Sequence, residues 1–122
     1  MQSLANPTLV VLLALIRTVD AAESNVCALF AHPSGFDHQH VALEGIVAGL
    51  TKGVSRSGRK DMTFVLRSPA GCGAVIVHAQ ELATVSNGDR LQIEGIFEME
   101  HHRDGSTFHN EVQATKITTL PR

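Results

Sequence analysis

The residues best suited to chemistry in this sequence are cations gathered in one short stretch. Residues 52–61 (KGVSRSGRKD) hold Lys52, Arg56, Arg59 and Lys60 before the first carboxylate, Asp61. Cations at that spacing can neutralise the phosphates of a polyanion, and Ser55 and Ser57 can add hydrogen bonds to phosphate oxygens. A second basic group, His101-His102-Arg103, lies further along the chain, with Phe108 close behind it. The chain as a whole carries a formal net charge of −2, so a positive surface here is local rather than global. The plainer reading of residues 52–61 is a solvated polar loop.

Seven histidines raise the question of metal binding. His38 and His40 are two apart and face the same side of an extended backbone, whereas the adjacent His101 and His102 point apart. His101, His102 and His109 are the candidates for a copper, nickel or zinc site across an expected hairpin. The alternative is that they are polar surface residues, and no metal or other cofactor is expected. Cys27 and Cys72 do not form a Cys-x-x-Cys pair, which argues against structural zinc. In an oxidising compartment they can form a disulfide; otherwise Cys27 is an ordinary small core residue. No Gly-x-Ser-x-Gly elbow, phosphate-cradling Walker loop or His-Glu-x-x-His pair is present. Glu94, Glu98, Glu100 and Glu111 read mostly as the solvated outward face of strands. The expectation is a binding protein, not an enzyme.

These groups need a scaffold, and 122 residues suffice for one ordinary domain. Residues 9–16 (LVVLLALI) form an apolar run of eight, far short of the ~20 residues that span a bilayer. The run suits the hydrophobic region of a secretory signal peptide, with Val19 and Ala21 as small residues before a cleavage point. No Lys or Arg precedes it, and Arg17 follows it. Residues 1–21 are therefore expected to be a removed signal peptide. The mature chain would lack a membrane span and would be periplasmic or secreted. The alternatives are an uncleaved anchor or a buried N-terminal helix, with a cytoplasmic protein if the segment is no signal.

Residues 22–40 are expected to hold one or two helical turns over 25–31, capped by Ser24 or Asn25 and ended by Pro33, Ser34 and Gly35. From residue 41 onward the pattern alternates, the mark of half-buried strands. Val41, Leu43 and Val47 oppose Glu44. Met62, Phe64 and Leu66 face inward in the next strand, and residues 73–78 form the third. Leu91, Ile93, Gly95 and Phe97 oppose Gln92, Glu94 and Glu98, and residues 107–117 close the sheet. Gly45 and Gly49 suit the coiling of a small barrel. Asn87-Gly88-Asp89 and Asp104-Gly105 signal turns, and residues 80–85 read as a short connection with helical potential. Five short strands with one longer connection between the third and fourth predict an all-β, five-stranded OB-type barrel over residues 41–120, plugged by the N-terminal helix.

Three stretches carry a resemblance: Val41-Ala-Leu-Glu-Gly-Ile-Val, Met62-Thr-Phe-Val-Leu-Arg, and Asn87-Gly-Asp-Arg-Leu-Gln-Ile-Glu-Gly-Ile-Phe. Together they resemble the OB-fold nucleic-acid-binding domain of the tRNA-anticodon and helicase type. The Gly88-Asp89 entry to the fourth strand, followed by Leu91-x-Ile93-x-Gly95, is the most telling part. Upstream, Cys27-x-Leu29, Pro33-x-x-Phe36-Asp37 and Val41-x-Leu43-x-Gly45 are similar to small exported bacterial proteins that lead into such a barrel. Those proteins usually carry Gly where this chain has His38. The resemblance implies a ligand face flanked by the loop between the first two strands and the loop between the last two. Lys52, Arg56, Arg59, Lys60 and Arg103 would then clamp single-stranded DNA or RNA, with Phe108 as a stacking platform. Against this stand the scarcity of aromatic residues and the acids Glu44, Glu94 and Glu111. The competing expectation is an exported module that binds a protein partner in the cell envelope, a small ligand or a metal.

Overall fold

Asn25 caps the first helix: its side-chain oxygen accepts from the Ala28 N–H at 2.7 Å, and the six-residue helix α1 (Val26–Ala31) follows. The computed structural model describes residues 25–81 and 83–121, so the proposed signal peptide lies outside the described residues. Val26 and Leu29 bury the inner face of α1. A 3₁₀ turn (Pro33–Phe36) ends the segment, begun by a proline that has no N–H to continue the helix.

Five strands follow: β1 (His40–Val54), β2 (Lys60–Arg67), β3 (Ala74–Gln80), β4 (Arg90–Arg103) and β5 (Ser106–Thr119). They close into a barrel in the order β1-β2-β3-β5-β4. Every pairing is antiparallel except the parallel contact of β3 with β5, which spans only Ile76–Glu111 to His78–Gln113. This is the five-stranded OB-type barrel with a short N-terminal helix that the alternation predicts. The predicted inward residues Val41, Leu43, Val47, Met62, Phe64, Leu66, Leu91, Ile93 and Phe97 are all buried in one core.

Two glycines let the ring close. A Cβ on Gly45 would stand 2.6 Å from the Arg67 carbonyl oxygen, and one on Gly95 would stand 2.8 Å from the Ala114 Cα. At Gly95 the β4–β5 register slips by one residue, Thr115 of β5 being the extra one, as in a β-bulge. Asn87-Gly88-Asp89 does more than turn the chain. Val47 N–H donates to Asp89 O (2.9 Å), Gly88 N–H donates to Val47 O (2.8 Å), and Leu50 N–H donates to Asn87 Oδ1 (2.9 Å). The motif thereby pins β1 at the irregularity between Ala48 and Thr51, where Gly49 takes φ 59°. His38 adopts φ 62°, a conformation that favours glycine.

The strands are longer than their hydrophobic patterns. Lys52 belongs to β1 and Lys60 to β2, which shortens the expected ten-residue loop to residues 55–59. His101, His102 and Arg103 belong to β4 rather than to a loop. Only Asp104 and Gly105 turn the chain, at φ 52° and 79°, as a two-residue hairpin of the type that matches strand twist. The connection after β3 is not helical at any of its described residues.

Candidate nucleic-acid interface

Alternation places the side chains of Asp61, Thr63 and Val65 in β2, and Ile76, His78 and Gln80 in β3, on the outside of the barrel. At one end of this face lies a small polar cleft of about 80 Å³. The β1–β2 loop contributes Ser55, Ser57 and Arg59 to it; the strands add Asp61, His78 and Gln80, and the β4–β5 hairpin adds Arg103 and Asp104. The two elements expected to flank the ligand therefore do meet over β2 and β3. The loop is internally braced. Ser55 Oγ lies 2.9 Å from Ser57 Oγ and accepts from the Arg59 N–H at 3.2 Å, while Ser55 N–H donates to Arg59 O at 2.8 Å.

The predicted cations divide into two groups. Arg56, Arg59 and Lys60 pair with no carboxylate among the described residues, whereas Lys52 stands 3.6 Å from Glu81 and Arg103 stands 2.6 Å from Glu111. Arg56 reaches over to the β4–β5 turn, its guanidinium nitrogens 4.0 Å from where a Cβ of Gly105 would be. Arg103 is not a free phosphate clamp. Its side chain is 17% exposed, donates to Glu111 Oε1, and lies over the Phe108 ring at 4.0 Å from the centroid. One face of Phe108 is therefore taken by a cation–π contact, and a base cannot stack on that face.

Glu111 corrects a second expectation. It is 1% exposed, not on a solvated face. Its Oε1 accepts from Arg103 and from Gln113 Nε2 (2.8 Å). Gln113 Oε1 lies 3.2 Å from His78 Nδ1, and His78 Nε2 lies 3.3 Å from Asp61 Oδ2. A polar chain thus runs from Asp61 through His78, Gln113 and Glu111 to Arg103, tying β2, β3, β5 and β4 together under the cleft. Sequence reading missed it because His78 and Gln113 are 35 residues apart. The other acids lie elsewhere: Glu44 pairs with Arg90, and Glu94 stands 3.8 Å from Lys116, both on the β1–β4 side of the barrel. Neither lies on the β2–β3 face.

The histidine candidates do not converge. The β4–β5 register places His102 and His109 on one face of the hairpin and His101 on the other. His101 Nδ1 stands 2.8 Å from Glu98, and His102 is engaged by Glu100 (3.2 Å) and Thr107 (3.0 Å). Among the described residues no group of three His, Cys, Asp or Glu side chains can hold a metal ion. Cys27 and Cys72 are joined as a disulfide, with Cα atoms 5.4 Å apart. The Ser68 hydroxyl lies 3.2 Å from each sulfur. The bridge ties α1 to the β2–β3 turn. No helix among the described residues is long and apolar enough to cross a membrane.

No protein-family model matches the chain, and no curated protein matches it. Among solved structures, the chain is similar to the N-terminal domain of PriB protein from Thermoanaerobacter tencongensis, described there as dimeric. Identity is 23%, with a TM-score of 0.56 over 68% of this chain and 97% of that one. It is also similar to the second OB-fold domain of replication protein A from Methanococcus maripaludis, at 14% identity and a TM-score of 0.46, over 70% of this chain and 88% of that one. The first of these is a likeness of fold.

Proposed function

We propose that the chain is a non-enzymatic OB-type binding module whose β2–β3 face takes single-stranded nucleic acid, or another oligonucleotide-like anion. One observation carries the reading: Arg59 lines a polar cleft on the face that OB barrels use for ligands, and it and its loop neighbours Arg56 and Lys60 have no carboxylate partner among the described residues. Cations left unpaired in a chain of net charge −2 are available to phosphate. His78, the imidazole of the cleft, has both ring nitrogens engaged, by Gln113 and Asp61. A titration with single-stranded DNA, RNA and duplex at increasing salt tests it. Single strands should bind at low salt and weaken steeply as salt rises. Absence of binding to any of the three at low salt would overturn the reading.

The disulfide favours a second reading, an exported module for a protein partner or small ligand of the cell envelope, since such bridges persist in oxidising compartments. Mass spectrometry of the native protein tests export. A mature terminus near residue 22 supports it, and an intact Met1 counts against it.

A further inference from the structure

A second concavity lies on the same outer face, at the opposite end from the polar cleft. It is a groove of about 420 Å³ between α1, the start of β3 and β5 at His109 and Asn110. Its walls include Phe30, Val65 and Ile76, and His109 and Asn110 supply its polar groups. Its volume lies in the range of ordinary small-ligand sites, and its lining follows their pattern of apolar walls with a few polar groups.

Phe30 is the unusual member. Its side chain stands largely in solvent, at 60% exposure, and Ile76 opposite is 40% exposed. Yet the Phe30 ring is held. A Cβ on Gly73 would meet the Phe30 Cγ at 2.7 Å, so the ring rests against backbone that only glycine leaves open. The neighbouring Cys72 is bridged to Cys27, one helical turn before Phe30. Two constraints therefore fix an aromatic ring that faces water, which lowers the entropy lost when something packs on it. Asn110 adopts φ 52° within β5 and carries amide donors and an acceptor, the groups that read the edge of a base.

The groove and the cleft share one strand. Ile76 lines the groove and Gln80 lines the cleft, four residues along β3, or about 13 Å. A ligand laid along β3 meets the basic loop at one end and the Phe30 ring at the other.

We propose that the groove is a base subsite: it takes one unstacked nucleobase of a strand whose phosphates lie at Arg56, Arg59 and Lys60, with Phe30 as the platform. This rests on the nucleic-acid reading above and adds to it the place where a base, rather than the backbone, is recognised. Phe30 supplies the stacking surface that Phe108, covered by Arg103, does not offer on its near face.

The test uses the disulfide-bonded protein and two labelled DNA strands of about twelve nucleotides, within the site size of one OB fold, one bearing thymine throughout and one abasic throughout. Fluorescence anisotropy should show the thymine strand bound about 5- to 100-fold more tightly. Phe30→Ala should abolish that ratio and leave the salt slope unchanged. Gly73→Ala should reduce the ratio by displacing the ring. Arg56→Ala with Arg59→Ala should flatten the salt slope and leave the ratio intact. Equal binding of both strands by the native protein, or a ratio that survives Phe30→Ala, would overturn the base subsite alone. Failure of both strands to bind at low salt would overturn the nucleic-acid reading and the subsite with it.

Discussion

Arg103 and Glu111 form an ion pair at 2.6 Å in which the carboxylate side chain is 2% exposed and the guanidinium side chain 17% exposed. The pair sits beneath the candidate ligand face, so its first role is to hold β4 to β5. Removing one member leaves the other buried and uncompensated. Arg103→Ala should therefore cost about 3–5 kcal/mol, whereas an exposed phosphate clamp would cost almost nothing. Denaturant unfolding measures this. A change below ~0.5 kcal/mol would mean that the pair does not form in solution.

Arg56 and Arg59 should behave differently, because among the described residues neither has a carboxylate to leave behind. Changing both to Ala should alter stability by no more than ~0.5 kcal/mol. It should weaken single-strand binding for all sequences alike and lower the salt slope by roughly 1.4 units for two lost contacts. An unchanged slope would show that the loop does not touch phosphate.

The disulfide closes a loop with a sequence separation of 45 residues. The chain-entropy relation gives about 4 kcal/mol for a loop of that length. Replacing Cys27 and Cys72 by Ser should lower the denaturation midpoint accordingly, and reductant should do the same to the native protein. A midpoint insensitive to reductant would contradict the bridge.

At Gly95 a side chain would run into the β5 backbone at Gln113 and Ala114, which cannot retreat as a flexible side chain can. Gly95→Ala should destabilise the barrel by about 1–3 kcal/mol or more. Gly35→Ala, where nothing lies within 4 Å, is the matched control and should be nearly neutral. Equal stability of the two variants would argue against the close approach.

The barrel was legible wherever a strand has a core face, because burial on one side forces apolar residues into alternate positions. Met62, Phe64 and Leu66 show it. Legibility ended where β1 and β4 run on as a ribbon beyond the core. Lys52 and His101 to Arg103 carry no apolar alternation, yet they pair in register with Met62 and with Phe108, Thr107 and Ser106. The burial of Glu111 was hidden for another reason. Asn110 takes a left-handed conformation within β5, the alternation breaks there, and the adjacent Glu111 and Val112 are both buried. Phe30 went unnoticed because a short apolar helix gives no sign of which residue stays outside. The loop cations were visible as a cluster, but only the ion pairs separate Arg56, Arg59 and Lys60 from Lys52 and Arg103.

The ring is joined by one unequal link. β1–β2 and β4–β5 are long antiparallel hairpins, whereas β3 meets β5 through three residue pairs, between partners 35 positions apart in the chain. Hairpins of neighbouring segments assemble quickly, and contacts across long sequence distances wait for loop closure. The β1–β4 pairing spans still longer separations but holds seven residue pairs, so the β3–β5 seam, with three, should be the first part of the barrel to part. The amides bonded across it should exchange with solvent through a local opening of lower free energy than the hairpins require. Such a seam lets the cylinder breathe along β3, the strand that joins the cleft to the groove, without unfolding the rest.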